Sequence, residues 1–185
     1  VPVTVTQRIK AFQMVPGVQL YGGFDGTETD RSERDWATHV VTLSGDIGTM
    51  GSYGDNSYHV VVGIGVTETA VLDGFLVTSG YANGGSAPYD RGGGMYISGG
   101  GPVIRNCTLV DNRAVFYGGG MTVDNAGAPI VADTVFINNT VTYYGGGMAS
   151  IGNSPTQIVN VRFLHNTSTS GHGGGALSFQ STPTY

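Results

Sequence analysis

The sequence predicts an all-β protein, a right-handed parallel β-helix with about 26–29 residues per coil and three short strands in each coil. Three observations carry this. One phrase recurs four times, as Gly92-Gly-Gly-Met95, Gly118-Gly-Gly-Met121, Gly145-Gly-Gly-Met148 and Gly174-Gly-Ala-Leu177, with spacings of 26, 27 and 29 residues on its last position. A second phrase runs between its copies, as Leu109-Val-Asp-Asn112, Phe136-Ile-Asn-Asn139 and Phe163-Leu-His-Asn166, at a spacing of 27 both times. No segment holds apolar residues at i, i+3, i+4 and i+7 for long enough to make a helix. A fixed period between 20 and 50 residues marks units that bury their apolar face only by stacking.

Within one unit the elements follow in order. After the glycines comes a run alternating with period two, Met95-Tyr-Ile97, Met121-Thr-Val123, Met148-Ala-Ser150 and Leu177-Ser-Phe179, which is a strand with one buried face. A turn of Gly, Asn and Pro follows, because Gly reaches positive φ and Pro fixes φ. A second strand ends in a polar residue, as in Ile104-Arg-Asn106, Val131-Ala-Asp133 and Ile158-Val-Asn160. The third strand is Cys107-Thr-Leu109, Thr134-Val-Phe136 and Val161-Arg-Phe163, after which the chain loops back to the glycines. Stacked at ~4.8 Å per rung, equivalent positions become columns. Met95, Met121, Met148 and Leu177 are expected inside, as are Leu109, Phe136 and Phe163. Asn112, Asn139 and Asn166 are expected to form a structural ladder at a bend, their amides bonding one another and free backbone groups. A left-handed helix of six-residue repeats is excluded, since no hexapeptide period is present. The glycosylation pattern at Asn106, Asn138 and Asn166 follows from the composition of such columns rather than from a glycan site.

The Gly-Gly-Ala-Leu and Phe-x-x-Asn tetrapeptides, with the N-terminal Leu20-Tyr-Gly-Gly-Phe-Asp-Gly-Thr-Glu-Thr29, Arg34-Asp35 and Leu43-Ser-Gly-Asp-Ile47, resemble the repeats of polymorphic outer-membrane proteins. They also resemble bacterial surface proteins with right-handed parallel β-helix repeats, which often carry a C-terminal sorting or anchoring domain. The Gly-Gly-Gly-Met copies depart from that pattern by Gly for Ala and Met for Ile. The resemblance implies the fold and an extracellular or bacterial cell-surface location. It does not imply a chemistry, because fold does not fix function.

One domain of 185 residues is expected, with residues 1–70 as an irregular opening segment and 71–185 as regular coils. Net charge is −5 and Lys10 is the single lysine, which excludes a basic patch for nucleic acid or anionic lipid. No apolar run is long enough for direct membrane insertion. Cys107 stands alone and reads as a buried small hydrophobe. From the N-terminus, residues 1–6, 9–15 and 18–24 read as strands, with Pro16-Gly17 as a turn. Residues 25–36 read as a polar excursion, 40–43 as a strand and 44–56 as a Gly-rich loop. Residues 58–64 and 71–77 are the next strands and 81–91 an inserted loop. The chain stops at 178–185 where another turn should begin, so it is expected to be a piece of a longer protein or a unit that stacks on something.

A glycosidase needs two carboxylates facing one cleft. Asp111, Asp124 and Asp133 fall at three phases of the repeat, and Arg91, Arg105, Arg113 and Arg162 do not cluster with acids by phase. No catalytic residues are assigned. The four histidines lack metal-like spacing. Asp25, Glu28 and Asp30 are the candidate metal ligands, for calcium, with Asp46 and Asp55 able to join them from the next loop. The most distinctive surface feature is aromatic: Phe116, Tyr117, Tyr143 and Tyr144 precede the glycines, with Tyr89 in the loop above. Period-two counting turns Val110, Ile137 and Leu164 outward, so the eight residues are expected to make one binding or assembly stripe. The functional expectation is a non-enzymatic adhesive or structural β-helix that self-associates or binds other surface proteins. The alternative is a polysaccharide-binding or polysaccharide-cleaving module.

Overall fold

The computed structural model describes residues 3–178. A one-turn helix, α1 (Val5–Arg8), opens the chain. The first coil holds β1 (Phe12–Gln13), β2 (Gln19–Tyr21) and β3 (Val41–Ser44). The second holds β4 (Val61–Ile64), β5 (Val71–Asp73), β6 (Phe75–Thr78) and β7 (Tyr81–Ala82). The third is β8 (Met95–Ser98), β9 (Val103–Arg105), β10 (Thr108–Val110) and β11 (Arg113–Ala114). The fourth is β12 (Met121–Asp124), β13 (Ile130–Ala132), β14 (Val135–Ile137) and β15 (Thr140–Val141). The fifth is β16 (Met148–Ser150), β17 (Gln157–Val159), β18 (Arg162–Leu164) and β19 (Thr167–Ser168), and β20 (Ala176–Ser178) starts a sixth.

Each strand pairs in parallel with its equivalent one coil away, giving a solenoid-like stack of four sheets. Sheet A is β1-β4-β8-β12-β16-β20, sheet B is β2-β5-β9-β13-β17, sheet C is β3-β6-β10-β14-β18 and sheet D is β7-β11-β15-β19. Sheet D corrects the expectation of three strands per coil. Its strands are two residues long, too short for alternation to show in sequence. They hold a small apolar cluster of Ala82, Ala114 and Val141.

The main core lies between sheets A, B and C. Val61, Met95, Met121 and Met148 stack in register in sheet A, Leu72, Ile104 and Val131 in sheet B, and Val77, Leu109 and Phe136 in sheet C. All of these side chains are buried, each worth about 1.5–3 kcal/mol of transfer free energy. The fourth member of the methionine column is Ala176, not Leu177, which pairs with Ala149. The repeat unit there is Gly173-Gly-Gly-Ala176. Gly92, Gly118, Gly145 and Gly173 all have positive φ. The glycine after each of the first three has no room for a Cβ: at Gly93 it would strike the carbonyl of Arg113.

Two corners turn through the left-handed region. One column is Gly74, Asn106, Asp133 and Asn160, the other Ser79, Asp111, Asn138 and His165. Asn and Asp tolerate this conformation better than other non-glycine residues. Beside the second corner runs the asparagine ladder. Asn139 Oδ1 accepts from Asn112 N and Nδ2, both at 3.1 Å. Asn166 Oδ1 accepts from Asn139 N and Nδ2 at 3.0 and 2.9 Å. The free amide hydrogens of Asn112, Asn139 and Asn166 reach the Val77, Leu109 and Phe136 carbonyls, one coil back.

The opening segment differs from expectation at its start. Residues 5–8 are helical rather than extended, because the Gln7 side chain accepts from Thr4 N at 2.8 Å and closes the turn. The rest of the segment is a full first coil with two insertions, residues 22–40 between β2 and β3 and residues 45–56 after β3. The end of the chain at 178–185, where another turn is expected to begin, lies from residue 179 on outside the described residues.

Candidate functional site

The residue before each glycine phrase forms a column of its own, Arg91, Tyr117, Tyr144 and His172, linked by parallel bridges. Tyr117 and Tyr144 ring centroids are 5.6 Å apart at 24°, and Tyr144 and His172 are 6.0 Å apart at 31°. Arg91 caps the column with its guanidinium 5.1 Å over Tyr117. One residue earlier, Phe116 and Tyr143 stack at 4.9 Å and 39°, and are 40% and 38% exposed. A rung spacing of ~4.8 Å is less than a ring's width, so neighbouring rings must overlap. Tyr117 and Tyr144 lie face to face, whereas Phe116 and Tyr143 are tilted.

The expected single stripe is therefore two separate features. Val110, Ile137 and Leu164 stack in register on the outer face of sheet C, beside Thr78, and are half-buried. The asparagine corner and sheet D separate them from the aromatic columns in every coil. Tyr89 also leaves the stripe. Its ring packs on Tyr58 at 5.2 Å and on His59 at 6.0 Å.

His59 is buried between Tyr89 and Tyr96, and its Nδ1 lies 2.9 Å from the Gly92 carbonyl. Burial pushes its pKa down to about 4, against the raising effects of Gly92 and Asp90. Burial likewise holds the Tyr96 phenol above its ordinary range.

Arginines and acids cluster after all. Arg91 Nε donates to Asp90 at 2.7 Å and Nη1 to Asp124 at 3.2 Å. Asp124 also accepts from Asn125 N at 2.7 Å and Tyr96 Oη at 3.5 Å. The two carboxylates thus close on one guanidinium rather than on a cleft. Asp73 is fully buried and receives Arg34 at 2.8 Å, Arg105 at 2.7 Å and Asn106 at 2.8 Å. Burial acts to raise its pKa, but the bonds from Asn106, Arg34 and Arg105 outweigh it and hold it below the ordinary value. Counting phases missed both clusters because a long arginine crosses columns and coils. The signal was in the alignment, where Arg91 occupies the position of Tyr117.

The Asp25, Glu28 and Asp30 carboxylates serve their own turns. Glu28 accepts from Asp25 N and Gly26 N, Asp25 from Thr27, and Asp30 from Ser32. Those bonds depress all three pKa values. Among the described residues no three His, Cys, Asp or Glu side chains come together to hold a metal. Cys107 is buried and its thiol is pushed up to about 11 by burial.

A groove of about 300 Å³ lies under the first insertion, rimmed by Trp36 and Val40 and floored by Phe75, Leu76, Asn106, Thr108, Asp133 and Val135. No family model, curated protein or solved structure matches this chain.

Proposed function

We propose that the chain is a right-handed parallel β-helix that acts as a non-enzymatic scaffold outside the cell, assembling with copies of itself through the outer face of sheet C. The observation that carries this reading is the half-buried aliphatic column Val110, Ile137 and Leu164 on the outer face of sheet C, next to a column of Leu76, Thr108, Val135 and Arg162 whose first three members floor the groove under the first insertion. Parallel sheets are usually covered on both faces. An apolar column on a rigid backbone loses little entropy on binding, and contiguous apolar surface marks interaction sites. The resemblance to bacterial surface repeats supports the location.

Light scattering and electron microscopy of the chain test the reading. Concentration-dependent oligomers or filaments that are lost in Val110→Asp/Ile137→Asp support it. A monomer at all concentrations overturns it.

The second reading, polysaccharide binding, is favoured by the groove at Trp36. Trp36 is 40% exposed with the Arg34 guanidinium 4.6 Å over its ring, and Asn106, Thr108 and Asp133 line the same groove, the mix of apolar and polar groups that sugar sites use. The Tyr117 and Tyr144 column supports it less, because Arg91, each other and His172 lie against their rings. Binding in a glycan screen that disappears with Trp36→Ala would establish this reading.

A further inference from the structure

The loop of residues 45–56 carries an unusual concentration of unpaired oxygen. Ser57 N donates to the Gly45 carbonyl at 2.8 Å, so the two ends of the loop meet. Asp46 and Asn56, each one residue inside that closure, share its neck, and Asp55 adjoins them. Asp46 Oδ2 accepts from Gly51 N at 2.9 Å and Asp55 Oδ2 from Thr49 N at 2.8 Å, so both carboxylates turn into the loop. The second oxygen of each, and Oδ1 of Asn56, is buried without a hydrogen-bond partner. Asn56 is 2% exposed, and its Nδ2 is committed to the Ser79 carbonyl at 2.6 Å, which sets where Oδ1 faces. Among the described residues the one other such side-chain atom is Nε2 of His59.

Three buried acceptors with no donor would be costly in any loop. All three are hard oxygens, two on carboxylates and one on an amide. From this geometry we infer that the loop binds a calcium ion through Asp46, Asp55 and the side-chain carbonyl of Asn56. Calcium accepts about six to eight oxygens in flexible geometry, and main-chain carbonyls of a Gly-rich loop and water complete such a shell. Magnesium demands a stricter octahedron and is the weaker ligand here. Arg8 lies on the outer side of the neck, its Nε bound to the main-chain carbonyl of Asn56 and its Nη2 to Asn83. Asp55 shares with Asp25, Glu28 and Asp30 the backbone and hydroxyl donors that lower a carboxyl, Thr49 N first; what sets this loop apart is that a second oxygen of Asp46, of Asp55 and of Asn56 is left buried without a partner.

The test is calorimetric titration of calcium chloride into chelator-treated full chain, with terbium luminescence sensitised by Tyr53 in the same loop as a readout that needs no variant. The expected dissociation constant is about 10⁻⁴–10⁻³ M, the range of extracellular calcium modules. Asp46→Asn and Asp55→Asn keep an acceptor for Gly51 N and Thr49 N, and each weakens binding at least ~10-fold on loss of a ligand charge. Asp25→Asn leaves it unchanged. Absence of both a calcium heat and a calcium-displaceable terbium signal overturns the inference, as the result of a loop satisfied by internal water. So does wild-type affinity in both loop variants, or loss of binding in Asp25→Asn.

Discussion

The first two coils and the last three solve the same stacking problem by different means. Coils three to five repeat their contacts: methionine on methionine, asparagine on asparagine, tyrosine on tyrosine. Met121 and Asn139 have copies of themselves above and below, and Tyr117 and Tyr144 stack on each other. The first two coils have no such columns outside the core. Their insertions are tied down by contacts that occur once, with Arg34 reaching from residues 22–40 to Asp73, and Arg8 spanning to Asn56, Asn83 and the ring of Tyr58. In a stack where each coil touches only its neighbours, stability is a sum of local and interface terms. Repeated columns spread those terms evenly, whereas single charged knots concentrate them.

The sharpest way to test that contrast is to cut one knot. Asp73→Ala leaves the guanidinium of Arg34 without its acid in a site where its own side chain is 8% exposed. Breaking a buried pair costs about 3–5 kcal/mol. Urea unfolding should read that loss, and hydrogen exchange should place it in coils one to three, which Arg34, Asp73 and Arg105 join, with coils four and five still protected. Equal loss of protection throughout would mean the two regions unfold as one unit.

Cutting the ladder should behave differently. Asn139→Ala removes the acceptor of Asn112 N and the donor to the Leu109 carbonyl. At about 1–3 kcal/mol for each buried group left unpaired, the expected loss is ~3 kcal/mol. Exchange should rise in the coils on both sides of residue 139.

His59 adds a pH dependence confined to the second coil. Its folded pKa of about 4 lies below the ordinary 6.5, so the unfolded chain binds the extra proton first. Stability is full above about pH 6.5 and falls as pH drops toward about 4, by ~3 kcal/mol in all at 1.36 kcal/mol per pKa unit. His59→Phe should flatten this part of the pH profile of the melting temperature.

The smallest effect is expected on the outside. Phe116→Ala or Tyr143→Ala removes one member of a half-exposed pair, worth about 0.5–1.5 kcal/mol, measured by the same urea titration. A larger loss would show that the aromatic edge column carries more of the stack than its exposure suggests.

The periodic part of the molecule was legible because a column imposes the same demand on every coil. Met95, Met121 and Met148, or Asn112, Asn139 and Asn166, are copies for that reason. The register at β20 was misread by one residue, since Gly-Gly-Ala-Leu resembles the phrase whether the alignment ends on Ala176 or Leu177. Sheet D escaped notice because two-residue strands carry no alternation. The aromatic and aliphatic columns read as one stripe because the period records depth in the repeat, not the corner that separates Val110 from Phe116.

By itself the sequence determined the period, the parallel in-register stacking, the inward columns and the asparagine ladder. Each follows from local rules repeated at a constant spacing. Tertiary structure alone decided which arginine meets which acid, that His59 is sealed between two tyrosines, and that one oxygen each of Asp46, Asp55 and Asn56 is buried without a partner. These contacts join residues with no common phase, and chain closure rather than periodicity brings them together.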